Sequence, residues 1–134
     1  MEQVKELLKN NGSGGYLATV DNGKPRVRAF GFMFEEDGRF YFCTNSTKEV
    51  YRQLMEHPFV EYAVTAKDMT MLRISAEIHF TEELSKKEKV LEASPFVKSV
   101  YKTADNPVFK VFFIEHGTAV ISDFSGRPPR KLEF

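Results

Sequence analysis

The stretch FCTNSTKEVYRQL, residues 42–54, passes from apolar residues through a short polar segment into a helical pattern. Four small polar residues make up that segment: Thr44, Asn45, Ser46 and Thr47. Ser46 and Glu49 have the spacing of a capping box, in which both side chains bind backbone N–H groups left unpaired at a helix start. These N–H groups, the nearby hydroxyl groups and the Lys48 ammonium would equally suit a phosphate. The sequence leaves both interpretations open, because a cap uses only some of the unpaired donors.

A second set of candidate residues lies upstream, in the stretch KPRVRAF. Arg26 and Arg28 alternate with Val27 and Ala29, which places both guanidinium groups on one face of a predicted strand. Solvated charges on an antiparallel sheet would explain two arginines, but the same face continues into the aromatic residues of FGFMF. Arginines beside a hydroxyl-rich helix start and flat apolar side chains suit a phosphate with an attached ring.

Other residues that could carry chemistry give weaker signals. The glycine-rich segment 12–15 does not open a helix after a strand, so it matches neither a Rossmann nor a P-loop context, and we interpret it as a linker. The three histidines are too scattered to predict a metal site. Cys43 is predicted to be a small buried apolar residue, and residues 35–37 to be solvated charges at a hairpin tip.

The elements that would position these residues follow from hydrophobic periodicity. Residues 15–44 read as a three-strand meander, with turns at Asp21–Gly23 and Glu35–Gly38. A helix is predicted from Ser46 until Pro58 ends it. FVEYAVT and MLRISAEIHF are predicted as two further strands, the second with one buried face.

The last third of the chain adds one helix and one hairpin to the prediction. EELSKKEKVLEA reads as a helix, with Ser85 and Glu88 as a capping box and Pro95 as its end. VFKVFFIEH and TAVISDF are predicted to pair around Gly117, and the tail to be extended. With a short N-terminal helix, six or seven strands and two or three helices are expected. Hairpin connections favour an antiparallel barrel with peripheral helices over a parallel sheet.

Composition limits the class of protein. A chain of 134 residues fits a single domain, residues 1–134. Its 19 basic and 19 acidic residues cancel, so no overall field attracts nucleic acid or an anionic membrane. The N-terminus lacks a signal-peptide pattern, and no apolar stretch approaches the roughly 20 residues of a membrane helix, so we predict a cytoplasmic protein. The 13 phenylalanines indicate a sheet-rich core or a sheet surface that needs a partner.

These segments resemble the flavin-binding split barrel of the pyridoxamine 5'-phosphate oxidase superfamily, particularly its small one-domain branch related to nitroimidazole-resistance reductases. The resemblance extends from GYLATV through KPRVRAFGFMF and RFYFCTNSTKEVYRQLMEHPFVEYAV to VFFIEHGTAVISDF. It implies a mainly β (α+β) fold, an antiparallel split β-barrel with peripheral helices. It also implies bound FMN and a homodimer with the flavin at the subunit interface.

Carried over to this sequence, the resemblance implies a cofactor site. The implied phosphate contacts are Arg26 and Lys48, helped by Thr44, Asn45, Ser46 and Thr47. The residues implied to border the ring or the ribityl chain are Val27, Arg28, Ala29, Phe30, Phe42 and Cys43. The chain departs from the oxidases that make pyridoxal phosphate at Gly31, where they carry a lysine. It also lacks tryptophan and any clear counterpart of their C-terminal tryptophan and arginine region, so that particular activity is not expected.

Three function hypotheses follow. The leading one is an FMN-dependent oxidoreductase that passes electrons from a reduced nicotinamide, or another donor, to a small oxidised acceptor, with no residue assigned as an acid or base. FAD or a deazaflavin in place of FMN stays open. The alternative is a non-catalytic cofactor-binding or sensor protein for flavin or haem, with His79 or His116 as the nearest axial ligands. The third is a cofactor-free interaction module that uses its phenylalanine surface.

Overall fold

A computed structural model describes residues 1–134, in which eight strands and four α-helices follow one another along the chain. The helices are α1 (Glu2–Asn11), α2 (Glu49–Glu56), α3 (Leu84–Ala93) and α4 (Pro95–Tyr101). The strands are β1 (Tyr16–Asp21), β2 (Lys24–Ala29), β3 (Phe34–Glu36), β4 (Arg39–Asn45), β5 (Phe59–Thr65), β6 (Met71–Thr81), β7 (Phe109–Ser122) and β8 (Arg130–Glu133). None of the helices has both the length and the apolar composition that a membrane-crossing helix requires.

All strand pairs are antiparallel, in the order β2-β1-β5-β6-β7-β4-β3, with β8 added beside β7. Strands β2 and β3 are consecutive in the chain but lie at opposite ends of this order. Residues 30–33 connect them, and we call these residues the crossing segment. The backbone N–H groups of Phe30 and Phe32 donate to the carbonyls of Gly15 and Gly12, at 2.8 and 2.9 Å, and Met33 donates to Tyr41 at 2.9 Å. The crossing segment therefore bridges the two ends of the sheet.

The predicted antiparallel split barrel with peripheral helices is confirmed, but the predicted three-strand meander is wrong. The backbone leaves strand geometry after Ala29, and β3 pairs with β4 while β2 pairs only with β1. The predicted hairpin around Gly117 is also wrong, because β7 runs through this residue without a turn. A Cβ atom at Gly117 would lie 2.6 Å from the Ser75 carbonyl oxygen, so a glycine is needed where β7 passes β6 this closely.

The core has two parts, one on each face of β4. Phe40, Phe42 and Thr44 point to the barrel interior, where 18 buried residues form the larger cluster under α1 and α2. Tyr41 packs on the opposite face, in a second cluster of 7 buried residues that α3 and α4 cover. Most phenylalanines therefore fill a sheet-rich core, in agreement with the first of the two readings of the composition.

Three helix starts differ from the predictions. α2 begins at Glu49 with Lys48 as its N-cap, so the capping box of Ser46 and Glu49 is wrong, and no side chain caps this helix. The Ser85 capping box is also wrong, because Ser85 already lies within α3. Pro95 does not simply end a helix but begins α4, whose first turn is capped by the Ser94 hydroxyl accepting from the Val97 N–H at 3.2 Å.

Candidate cofactor-binding site

A cavity of about 630 Å³ opens where the crossing segment, the end of β4, the start of α2 and the corner between α3 and α4 meet. Its lining residues are Ser13, Ala29, Phe30, Gly31, Phe32, Met33, Cys43, Thr44, Lys48, Ala93, Ser94, Phe96, Val97, Val100 and Tyr101. The volume lies in the usual range of small-molecule sites, roughly 300 to 1,000 Å³.

One end of the cavity is polar and only partly satisfied by the protein. The Thr44 side chain is 2% exposed, and its hydroxyl oxygen has no hydrogen-bond partner. An unpaired buried hydroxyl costs about 1 to 3 kcal/mol, so such a group is rarely left without a role. The exposed Lys48 ammonium lines the same cavity, beside the uncapped first turn of α2. Hydroxyl, ammonium and free helix N–H groups together suit an anion.

Hydrogen bonds within the polar loop before α2 fix the conformation of this loop. The Asn45 side-chain oxygen accepts from the backbone N–H of Thr47 at 2.9 Å and from its hydroxyl at 2.8 Å. The Lys48 N–H donates to the Asn45 carbonyl at 3.0 Å. This Asx turn replaces the predicted capping box, and it leaves the first-turn N–H groups of α2 without a side-chain acceptor.

The other end of the cavity is apolar and carries no charge. Phe30, Phe32 and Met33 of the crossing segment and Phe96, Val97 and Val100 of α4 all line the cavity. Burial raises the pKa of the Cys43 thiol to about 12, and the Lys48 charge opposes this only in part. Burial also raises the pKa of Tyr101. Both groups are therefore neutral at physiological pH, and Cys43 lacks the thiolate character of a nucleophile.

Tyr62 fixes the crossing segment that forms the cavity wall. Its hydroxyl lies 2.7 Å from the Gly12 carbonyl and 2.9 Å from the Phe30 carbonyl, so its single proton is shared between the two. A Cβ atom at Gly15 would lie 2.0 Å from this hydroxyl, and one at Gly12 would lie 2.6 Å from the Phe32 Cβ. Residues 12–15 connect α1 to β1, as the interpretation as a linker predicts, and two of these glycines also allow close packing behind the cavity.

Arg28 takes part in a buried polar network and does not line the cavity. Its guanidinium donates to the Gln53 side-chain oxygen at 2.7 Å, the Thr19 hydroxyl at 2.8 Å and the Leu17 carbonyl at 3.2 Å. The Thr19 hydroxyl donates to Gln53 at 2.5 Å. Burial lowers the pKa of Arg28, which nonetheless stays charged. This network ties α2 to the β1–β2 hairpin.

The structure brings together five of the twelve predicted site residues. Those that line the cavity are Ala29, Phe30, Cys43, Thr44 and Lys48. Phe42 is fully buried in the core beside them. Arg26 is exposed on β2, with its Nε 3.5 Å from an Asp21 carboxylate oxygen, and Val27 is 69% exposed on the opposite face. Asn45, Ser46 and Thr47 form the adjoining loop without lining the cavity.

The contribution of α4 is not predicted by the sequence, because a proline after a helical pattern is typical of a helix end. The pattern Ser-Pro, with a hydroxyl residue at the cap and proline at the first helical position, was the available signal. His79 and His116 are both exposed and neither lines the cavity. No group of three or more His, Cys, Asp or Glu side chains could hold a metal ion.

The antiparallel strand order places the chain in the split-barrel class, and the cavity beside α2 has the size of a small-molecule site. A family model described as pyridoxamine 5'-phosphate oxidase matches residues 1–119, and the chain belongs to this family. A search of curated proteins found no match.

Solved structures extend this result. A NimC/NimA family protein from Clostridium acetobutylicum is 32% identical, with a TM-score of 0.88 over 100% of this chain and 93% of that one. A pyridoxamine 5'-phosphate oxidase-related, FMN-binding protein from Nostoc punctiforme is 16% identical, with a TM-score of 0.69 over 97% and 87% of the two chains. A haem-binding protein from Mycobacterium smegmatis is 16% identical, with a TM-score of 0.80 over 96% of this chain and 56% of that one. The last two likenesses concern the fold alone.

Proposed function

We propose that the protein binds FMN in this cavity and acts in the cytoplasm as a homodimeric flavin-dependent oxidoreductase. In this proposal it passes electrons from a reduced nicotinamide, or another donor, to a small oxidised acceptor. The observation that carries the proposal is the buried, unpaired Thr44 hydroxyl in a cavity that also holds the Lys48 ammonium. Membership of the family and the FMN-binding relative from Nostoc punctiforme support the choice of cofactor.

The residues at the polar end would hold the cofactor phosphate. Lys48 supplies the charge, Thr44 a hydroxyl, and the first turn of α2 backbone N–H groups. Phe30 and Ala29 supply apolar surface for the ring. When bound, FMN supplies the electron-transfer chemistry, while the chain supplies binding, orientation and exclusion of water.

Arg26 remains in the proposal as a second phosphate contact. Its side chain is 49% exposed, and its pairing with Asp21 is a single 3.5 Å contact at the surface. Exposed pairs of this kind contribute about 0 to 1 kcal/mol, so little energy opposes rotation of the guanidinium toward a phosphate. Arg28, in contrast, is held by its network and contributes to the site through α2.

A second copy of the chain would cover an apolar face next to the cavity. Tyr16, Val27 and Phe59 are 56%, 69% and 57% exposed. Strand pairing places Tyr16 opposite Ala29, and Ala29 also lines the cavity. A partner on this face would therefore border the flavin site. Light scattering should give a dimer for the purified protein and a monomer for Val27→Asp.

The absorbance spectrum of the purified protein tests the cofactor. The two-banded spectrum of an oxidised flavin, present on purification or after incubation with FMN, is the expected result. Mass spectrometry of the released cofactor separates FMN from FAD and from a deazaflavin. A protein that shows no flavin even after incubation would contradict the proposal. A Soret band would indicate haem, although neither histidine considered as an axial ligand lines the cavity.

A further inference from the structure

The backbone carbonyl of Phe30, in the cavity wall, depends on one side chain for its hydrogen bond. It accepts from the Tyr62 hydroxyl at 2.9 Å, and no backbone N–H group donates to it. The Gly12 carbonyl, which lies 2.7 Å from the same hydroxyl, also accepts from the Phe32 N–H at 2.9 Å. Loss of the Tyr62 hydroxyl would therefore leave the Phe30 carbonyl without a donor, whereas Gly12 would keep one.

Tyr62 itself has little freedom to move. It is fully buried on β5, a strand that pairs with β1 on one side and with β6 on the other. Its ring meets the Phe42 ring edge-on, with the centroids 4.8 Å apart. Burial raises the pKa of Tyr62, and the Phe32 N–H opposes this only in part, so the hydroxyl keeps its proton at physiological pH. Tyr62 is thus a fixed donor to the crossing segment, although it does not line the cavity.

Phe30 connects this donor to the cavity. Its ring lines the cavity and packs on the rings of Phe42 and Phe112, with centroids 6.3 and 5.8 Å away. Its backbone has left strand β2, and the bond from its N–H to the Gly15 carbonyl is the one backbone hydrogen bond that holds it. A shift of the Phe30 carbonyl would therefore move apolar surface that faces the ligand.

We propose that Tyr62 is a positioning residue for the cofactor: without touching the ligand, its hydroxyl holds Phe30 in the conformation that receives the flavin ring. The inference rests on the proposed function, because it takes FMN as the ligand that contacts Phe30. A wall that is ordered before the ligand arrives loses less conformational freedom on binding, which raises the affinity. Coupling between two sites is reciprocal, so bound FMN should in turn hold the crossing segment more firmly.

Two tyrosines of nearly equal burial test this role. Tyr62→Phe should weaken FMN binding by about tenfold in a fluorescence titration, because only the hydroxyl is removed and the ring stays. Tyr41→Phe makes the same change in a side chain that is 1% exposed, packs in the second cluster and does not line the cavity, so it should leave the affinity unchanged. Unchanged affinity in Tyr62→Phe, or equal losses in the two variants, would overturn the inference while leaving the FMN site intact.

Amide hydrogen exchange separates positioning from a general loss of stability. In flavin-free Tyr62→Phe, the amides of Phe30 and Phe32 should exchange at least about tenfold faster than in the wild type, and the amide of Ile114, in the middle of β7, should change less. In the wild type, added FMN should slow exchange at Phe30 and Phe32 more than at Ile114, a result that does not depend on the folding of a variant. Equal changes at all three amides in either experiment would overturn the inference. Failure of the wild type to bind FMN would overturn the proposed function and this inference with it.

Discussion

Helix α2 meets polar side chains at two places, and the two differ in how completely they are paired. In the middle of the helix, Gln53 is 3% exposed and its side-chain oxygen accepts from both Arg28 and Thr19. At the start of the helix, the Thr44 hydroxyl has no partner, and Lys48 takes part in no ion pair. Both places combine a threonine with a cation, yet only the second leaves capacity for a ligand.

The difference separates a structural cation from a functional one. Arg28 donates hydrogen bonds to three protein acceptors, and these bonds fix α2 against the barrel. Lys48 is the N-cap of the same helix, five residues before Gln53, so its position depends on that anchoring. The network thus positions the cavity without touching it.

The largest effect is expected from breaking the hydrogen-bond network of Arg28, Thr19 and Gln53. Arg28→Met should lower the free energy of unfolding by about 2 to 3 kcal/mol, because charge-assisted hydrogen bonds are removed from buried acceptors. Arg26→Met is the matched control, with an expected change below about 1 kcal/mol because its ion pair is exposed. Urea denaturation of the flavin-free proteins measures both. Equal losses of unfolding free energy in the two variants would mean that the Arg28 network stabilises the fold no more than the surface ion pair of Arg26 does.

The second-largest effect is expected at Lys48, the cation that takes part in no ion pair. Lys48→Ala should weaken FMN binding by about 1.5 to 3 kcal/mol, roughly 10- to 150-fold, through loss of a charge-assisted contact. Its unfolding free energy should not change, since the side chain is exposed. Lys9→Ala, at an exposed position on α1, controls for the removal of a positive charge. Flavin fluorescence titration gives the affinities, and retention of full affinity by Lys48→Ala would exclude it as a phosphate contact.

Sequence patterns could predict the features that depend only on residues close together in the chain. The β1–β2 turn at Asn22 and Gly23, both with positive φ, and the alternating strand β6 follow from short-range rules. The same patterns also predicted that Thr44 and Lys48 lie where a strand passes into a helix. The hairpin connections already favoured an antiparallel barrel, and the resemblance to the family added its split form and FMN as the expected ligand.

What the sequence could not predict depends on long-range contacts. The alternation of Arg26 and Arg28 is visible, but only folding shows that Gln53, 25 residues later, accepts from Arg28. The crossing segment looked like a continued strand because Phe30 and Phe32 keep the alternation. Its hydrogen bonds to Gly12 and Gly15 end the ladder, and no local signal marks that change.

A smaller effect, of opposite sign at the two places, is expected from removing each threonine hydroxyl. Thr44→Val should weaken FMN binding by about 1 kcal/mol while leaving the flavin-free protein equally or more stable, because an unpaired buried hydroxyl is replaced by a methyl group. Thr19→Val should lower the unfolding free energy by about 1 kcal/mol, because its hydroxyl is paired to Gln53 and Arg28. If Thr44→Val destabilised the flavin-free protein as much as Thr19→Val, the Thr44 hydroxyl would have a protein partner.

The smallest effect, absent at neutral pH, tests the apolar side of β4 next to Thr44. Burial raises the pKa of Cys43 to about 12, above the value of roughly 8.5 for a free thiol. A group whose pKa is higher in the folded state contributes stability below its unfolded pKa and loses it as the pH rises. Between pH 7 and pH 9 the wild type should therefore lose about 0.5 to 1 kcal/mol more unfolding free energy than Cys43→Ala.

Denaturation at the two pH values gives this difference directly. Tyr62 and Tyr101, whose pKa values burial also raises, are present in both proteins, so their contribution cancels in the comparison. Identical pH dependence in the wild type and Cys43→Ala would mean that the thiol ionises as easily as in water. The cavity beside Lys48 would then be more polar than its lining indicates, and the boundary between its anion-binding end and its apolar end would lie beyond Cys43.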